Sequence, residues 1–298
     1  VSNQDYGVGD ASFVTSKADR PPMLYVGAND GMLHAFKEAD GVEQFAYIPA
    51  ETVSKLNKLT DKEYAKSHQY LVDGSPKVGD AKLNGQWKTV LLGSTGAGGK
   101  SVFALDVTDP TQFGTSSVLW EFTSADMGYT IPQPTMGQLA DNSWVALIPN
   151  GYDSAEQEGK LVVLDLKDGS PVNVLQTNAS LSGKLNGLST PVPVDLDGDR
   201  KTDLLYAGDL LGNLWRFDVR SSDSTNWSTR LIYTACVDAT CSTSNRQPIT
   251  ARPMVIAHPN GGVMVLFATG SYFTNEDRSS LQLQALYGVW DKLEASPT

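Results

Sequence analysis

Apolar residues fall along this chain in short runs bounded by glycine and proline, the punctuation of strands and turns rather than of helices. Five times an apolar run ends on a glycine, a turn follows, and a second run ends in an apolar residue beside a charged one. The copies are Leu24 to Gly27 with Leu33 to Phe36, Val90 to Gly93 with Val102 to Asp106, Ala146 to Gly151 with Leu161 to Asp165, Leu204 to Gly208 with Leu214 to Asp218, and Val265 to Gly270 with Leu286 to Asp291. Each predicts an antiparallel hairpin. Outer strands follow most copies, at Glu43 to Ile48, Val118 to Phe122, Val172 to Gln176 and Thr229 to Tyr233. Proline-flanked strands precede several, at Ser75 to Gly79, Gln133 to Gly137, Thr190 to Val194 and Ala251 to Val255. The repeating unit is then four antiparallel strands. Its marker glycines, at positions 27, 93, 151, 208 and 270, stand 66, 58, 57 and 62 residues apart.

That repeat predicts an all-β protein, a β-propeller of about five four-stranded blades forming a single domain over residues 1–298. One stretch breaks the rhythm. Residues 51–67, with Ser54-Lys-Leu-Asn-Lys-Leu and Asp61-Lys-Glu-Tyr-Ala-Lys, read as a short helical excursion between the first and second blades.

The loop from Asp195 to Asp203, Asp-Leu-Asp-Gly-Asp-Arg-Lys-Thr-Asp, interrupts the fourth repeat and sets carboxylates at loop positions 1, 3, 5 and 9. Alternate residues of a tightly wound loop turn toward one centre, and calcium takes six to eight oxygens at about 2.3–2.6 Å. Asp195, Asp197, Asp199, the carbonyl of Lys201 and Asp203 are the expected ligands. Without a cation, four crowded carboxylates repel, and only Arg200 and Lys201 stand near enough in sequence to offset them. The loop is not an EF-hand: position 6 is Arg200 instead of glycine, position 12 is Tyr206 instead of a bidentate Glu, and strands flank it.

Composition agrees with a cation-binding, turn-rich globular chain: 298 residues with 27 Gly, 15 Pro and a formal charge of −11. Such a charge disfavours nucleic acid or an anionic membrane surface as partner. No apolar run reaches the roughly 18 residues of a membrane span. The opening Val1 to Asp5 is no signal peptide and looks internal, so a piece of a longer, processed chain is expected. Cys236 and Cys241 sit in a polar loop and are expected to form a local disulfide. Zinc does not fit, because His34, His68 and His258 lack ligand spacing to them. Asn178 and Asn226 open short glycosylation sequons, a weak pattern.

Catalytic patterns are near misses. Gly93 to Ser101 resembles a phosphate loop, but its spacing is one residue off and it opens a strand instead of a helix. Asp153, Glu156 and Glu158 share one polar loop, which reads as a solvated turn. No nucleophile elbow exists. The tryptophans read as packing, with Trp215 placed near the acidic loop as a possible part of its wall.

Gly27-Ala-Asn-Asp-Gly-Met-Leu-His-Ala-Phe36, Val72-Asp-Gly-Ser-Pro-Lys-Val-Gly-Asp80, Phe103-Ala-Leu-Asp-Val-Thr-Asp109, the acidic loop, and Ala207-Gly-Asp-Leu-Leu-Gly-Asn-Leu-Trp-Arg-Phe-Asp218 together closely resemble the C-terminal domain of the PilY/PilC-type pilus biogenesis and tip adhesin proteins of type IV pili. The resemblance implies a non-enzymatic, modified propeller, exported to the pilus tip, outer membrane surface or extracellular space. It implies roles in pilus biogenesis, in extension and retraction during twitching motility, and in surface attachment. Its partners would be pilin subunits or other tip components, and a host or abiotic surface. It assigns calcium to Asp195, Asp197, Asp199, Lys201 and Asp203. Propellers of that family are described with seven blades, against the five counted. The enzyme alternative is a quinoprotein (PQQ) dehydrogenase propeller, whose members often set adjacent cysteines against the quinone; Cys236 and Cys241 are separated. No Arg-Gly-Asp tripeptide is present for integrin recognition.

Overall fold

Five antiparallel sheets follow one another along the chain in a computed structural model that describes residues 11–181, 184–275 and 277–293. The first holds β1 (Met23–Gly27), β2 (Leu33–Lys37) and β3 (Glu43–Tyr47). The second holds β4 (Lys77–Leu83), β5 (Gln86–Ser94), β6 (Val102–Asp106) and β7 (Val118–Phe122). The third holds β8 (Thr135–Gln138), β9 (Trp144–Pro149), β10 (Lys160–Asp165) and β11 (Pro171–Gln176). The fourth holds β12 (Val192–Val194), β13 (Leu204–Gly208), β14 (Asn213–Asp218) and β15 (Ser228–Thr234), and the fifth β16 (Met254–Ala257), β17 (Val263–Ala268) and β18 (Leu286–Asp291).

Every expected hairpin forms, but the four-stranded unit holds only in sheets two to four. Among the described residues the first sheet has no strand ahead of its hairpin. A short helix, α1 (Ala11–Ser16), stands there instead, and the Lys17 ammonium after it is buried against Asp80 of sheet two. The fifth sheet ends on β18 among the described residues. The excursion is also less helical than expected: α2 (Ala50–Val53) is one turn, followed by 3-10 turns at Leu56–Thr60 and Tyr64–Lys66. Thr52 is the one residue of these three turns that is buried, too small an apolar face to hold a longer helix.

Core residues lie between successive sheets. Leu33, Tyr47, Leu91 and Phe103 fill the first gap and Trp120, Trp144 and Ile148 the second. Leu147, Leu161, Trp215 and Phe217 fill the third, and Tyr206, Val265 and Phe267 the fourth. Both faces of the middle sheets are thereby covered, which is why β9 and β13 read as unbroken apolar runs and not as alternations. The end sheets keep alternation and leave Leu24 and Val26 at one end and Met254, Ile256 and Leu286 at the other exposed. A register shift recurs where the last two strands of sheets one to four pair, at Ala35/Phe36, Ala104/Leu105, Val163/Leu164 and Leu214/Trp215. Such bulges increase twist, and a propeller blade is a strongly twisted sheet.

Candidate metal centre

β12 enters the acidic loop and β13 leaves it, so the pairing of Val194 with Leu204 brings residues 195 and 203 together. The Asp203 amide donates to the Val194 carbonyl at 2.9 Å and the Thr202 amide to the Gln138 carbonyl of sheet three at 2.8 Å, which anchors the loop's outgoing limb. Within the loop each carboxylate accepts backbone N–H groups. Asp195 takes Gly198 and Arg200, both at 2.7 Å, Asp197 takes Asp199 at 3.0 Å, Asp199 takes Lys201 at 2.9 Å, and Asp203 takes Leu196 at 2.7 Å. Two residues turn the chain with left-handed backbone, Gly198 at φ 84° and Arg200 at φ 71°. Arg200 therefore does adopt the conformation for which position 6 ordinarily uses glycine, at a cost of about 1–2 kcal/mol.

This winding brings oxygens of Asp195, Asp197 and Asp203 within 4.8 Å of one another. Asp199 stands outside that trio, with its carboxylate 3.4 Å from the Lys201 ammonium, which also reaches the Ala140 carbonyl at 3.4 Å. Burial raises the pKa of Asp203; the Leu196 amide opposes this, and repulsion from Asp197, Asp195 and Asp199 adds to it, leaving the carboxyl above its ordinary range. Converging hard oxygens under mutual repulsion fit a calcium ion and not a soft metal. Tyr206 is excluded from ligation, because it is fully buried and its hydroxyl donates to Asp291 at 2.8 Å. Trp215, expected beside the loop, instead packs between sheets three and four. Its indole N–H donates at 2.9 Å to Asp209, which follows the far end of β13.

The remaining candidates resolve as structural groups. The amides of Lys100 and Ser101 in the glycine-rich hairpin do hold an anion, but it is the chain's own Glu51 carboxylate, at 3.0 Å from each, with the Thr95 hydroxyl at 3.1 Å. Glu156 pairs with buried Lys160, which also holds Asp126 at 2.6 Å, and Asp153 accepts from Gln157 at 3.0 Å. His34 bridges Glu43 and Asp30 at 2.5 and 2.9 Å, His68 meets the rings of Tyr64 and Tyr70, and His258 stacks on Trp290. Cys236 and Cys241 are disulfide-bonded with Cα atoms 5.2 Å apart. Asp209 escaped sequence reasoning: it is fully buried and accepts from Asn213, Trp215 and Asn186. Its only signal was the Gly-Asp-x-x-Gly-Asn-x-Trp order.

Residues 5–296 match the family described as the PilY1 beta-propeller domain. The type IV pilus biogenesis factor PilY1 of Pseudomonas aeruginosa strain UCBPP-PA14 is 41% identical over 315 residues, covering 97% of this chain and 26% of the relative. A type IV pilus biogenesis factor PilY1 homolog of Xylella fastidiosa strain Temecula1 is 39% identical over 286 residues, covering 90% of this chain and 19% of the relative. The chain thus spans about a quarter or less of the length of these relatives. Among solved structures, the C-terminal domain of Pseudomonas aeruginosa PilY1 superposes with a TM-score of 0.81 at 38% identity, over 95% of this chain and 60% of that one.

Proposed function

This chain belongs to the PilY1 β-propeller family, and on that premise we propose that it is the calcium-binding, non-enzymatic propeller of an exported type IV pilus biogenesis factor. In this reading it is a single domain, part of the C-terminal region of a longer protein. It stands at the pilus tip, outer membrane surface or extracellular face, contacts pilin subunits or other tip components, and adjusts extension, retraction and attachment to host or abiotic surfaces. The relatives' names support the pilus role. The near-miss catalytic motifs are absorbed by structural contacts such as Glu51 on the glycine-rich hairpin.

The observation that carries the calcium reading is the convergence of Asp195, Asp197 and Asp203 on a loop wound by left-handed Gly198 and Arg200. Asp199 and the carbonyl of Lys201 complete the proposed ligand set. When bound, calcium supplies two positive charges at the loop. The chain's own part is to bring the carboxylates together and to fasten the loop on sheet three through Thr202.

Calorimetric titration of the isolated chain with calcium tests the site, and surface piliation of cells carrying the same variants tests its role. One ion per chain is expected for the wild type, with binding lost in Asp203→Ala. A wild-type chain that takes up no calcium at millimolar concentration would refute the metal site and leave the pilus assignment standing. Unchanged piliation and twitching in a variant whose calcium binding is shown to be lost would reduce the loop to a structural turn.

A further inference from the structure

At the acidic-loop end of the molecule, the first strands of sheets two, three and four and the approach to sheet five line one half-open cavity of about 280 Å3. Four different sheets can reach so small a space only near a shared axis. Four cations line it: Lys77 from β4, Arg200 and Lys201 from the loop, and Arg252 just ahead of β16. Of the two carboxylates on its wall, Asp80 is charge-paired and Asp195 keeps its charge while accepting backbone amides. Asp80 holds the Lys17 ammonium and the Thr89 hydroxyl, and Asp195 holds the amides of Gly198 and Arg200. Among the described residues the side chains of Lys77, Arg200 and Arg252 have no hydrogen-bond or ion-pair partner, and Lys201 has only long contacts of 3.4 Å.

The chain as a whole has 23 basic against 34 acidic residues, so gathering four cations on one wall runs against its composition. Scattered lysines on a solvated face need no explanation. Cations brought from three separate segments onto one half-open space repel one another; Asp195 on the wall and Asp199 beside Lys201 offset part of that charge, and Lys77 and Arg252 are left to an anion from outside. Two arginines supply planar forks suited to a carboxylate. The cavity lies near the lower limit of about 300 Å3 for ligand pockets, enough for an acidic side chain and too little for a large cofactor. Met136 and Trp144 add an apolar stretch to the wall, which suits the stem of a peptide side chain and offers a free inorganic ion nothing.

We propose that this cavity is an anion-binding site that receives a carboxylate of an acidic peptide segment from a partner protein. The assignment stands on the cavity's cations alone and does not require a metal in the loop. The probe is an acetylated, amidated Asp-Glu-Asp tripeptide, titrated against the whole chain at neutral pH and low salt, with the Asn-Gln-Asn tripeptide and inorganic phosphate as comparators. The acidic peptide should bind, its amide counterpart should not, and affinity should fall as salt is raised.

Lys77→Gln/Arg252→Gln leaves the acidic loop intact and should weaken the peptide at least tenfold while calcium still binds, no more weakly than in the wild type, and the melting temperature is kept. Arg252 is exposed, so Arg252→Gln alone keeps the test informative should the double variant fold poorly; a severalfold loss is expected. No binding of the acidic peptide at millimolar concentration, equal binding of the Asn-Gln-Asn peptide, or unchanged affinity in both variants would overturn the site. Phosphate binding as tightly as the peptide would overturn the peptide assignment.

Discussion

Asp203 is the residue on which the chemistry of the acidic loop turns. It is the most buried of the trio with Asp195 and Asp197, it closes the loop through its amide, and no ligand follows at position 12 to replace it. Replacing Asp203 by Ala should abolish the calcium-induced rise in melting temperature; that rise should be about 4 °C in the wild type, from the ~2.7 kcal/mol of linkage at a hundredfold excess over the dissociation constant. Asp203→Lys should differ in kind, because an ammonium beside Asp195 and Asp197 neutralises them without metal. That variant should melt at or above the calcium-free wild type and ignore calcium in differential scanning calorimetry. His34 offers a second test at this scale. Its hydrogen bond to Glu43 raises its pKa, slight burial opposes this, and Asp30 adds to the rise. A raised folded-state value means that the imidazolium contributes stability fully below the ordinary 6.5 and loses it as pH climbs through the raised value. Thermal melts across mildly acid to alkaline pH should show that loss in the wild type and not in His34→Gln.

Elements were read best where one local rule acts alone. Glycine-ended apolar runs became β1–β2, β5–β6, β9–β10, β13–β14 and β17–β18 because a hairpin is decided by its turn and its strand pattern. The stretch after Tyr47 was harder, since its helical spacing lacked an apolar face, and it broke into three short turns. Its main product is a pair of long-range contacts to the glycine-rich hairpin, Glu51 on the amides of Lys100 and Ser101 and the Lys55 ammonium on the Gly98 carbonyl at 2.6 Å. Burial disfavours ionisation of Glu51, but hydrogen bonds from Ser101 and Lys100, the Lys55 ammonium and Thr95 outweigh it and keep the carboxyl below its ordinary range. Glu51→Ala should leave those amides to water and cost about 2 kcal/mol, read as a shifted denaturant midpoint with faster amide exchange at Lys100 and Ser101.

Over the whole molecule, stability depends on contacts that join one sheet to the next. The clearest is buried between sheets four and five, where Arg216 donates to both oxygens of Asp291 at 2.9 and 3.0 Å and Tyr206 donates to the same carboxylate. Asp291→Ala strands a buried guanidinium and should cost about 3–5 kcal/mol in urea unfolding. The acidic loop and the cationic cavity are also neighbours, sharing Asp195, Arg200 and Lys201. Neutralising the carboxylates should therefore strengthen the cavity's field, so affinity for the Asp-Glu-Asp peptide should rise severalfold with calcium, and that rise should vanish in Asp203→Ala.

By itself the sequence determined the repeat, the all-β class, the hairpin turns and the register of acidic positions in residues 195–203, because each depends on spacing along the chain. Only the tertiary structure decided that Asp199 turns to Lys201 while its three neighbours converge, that Glu51 fills the phosphate-like hairpin, and that Lys77 and Arg252 meet the loop across one cavity. Those outcomes depend on which segments become neighbours around an axis, and a carboxylate or guanidinium carries no mark in the sequence of the distant partner that packing will bring to it.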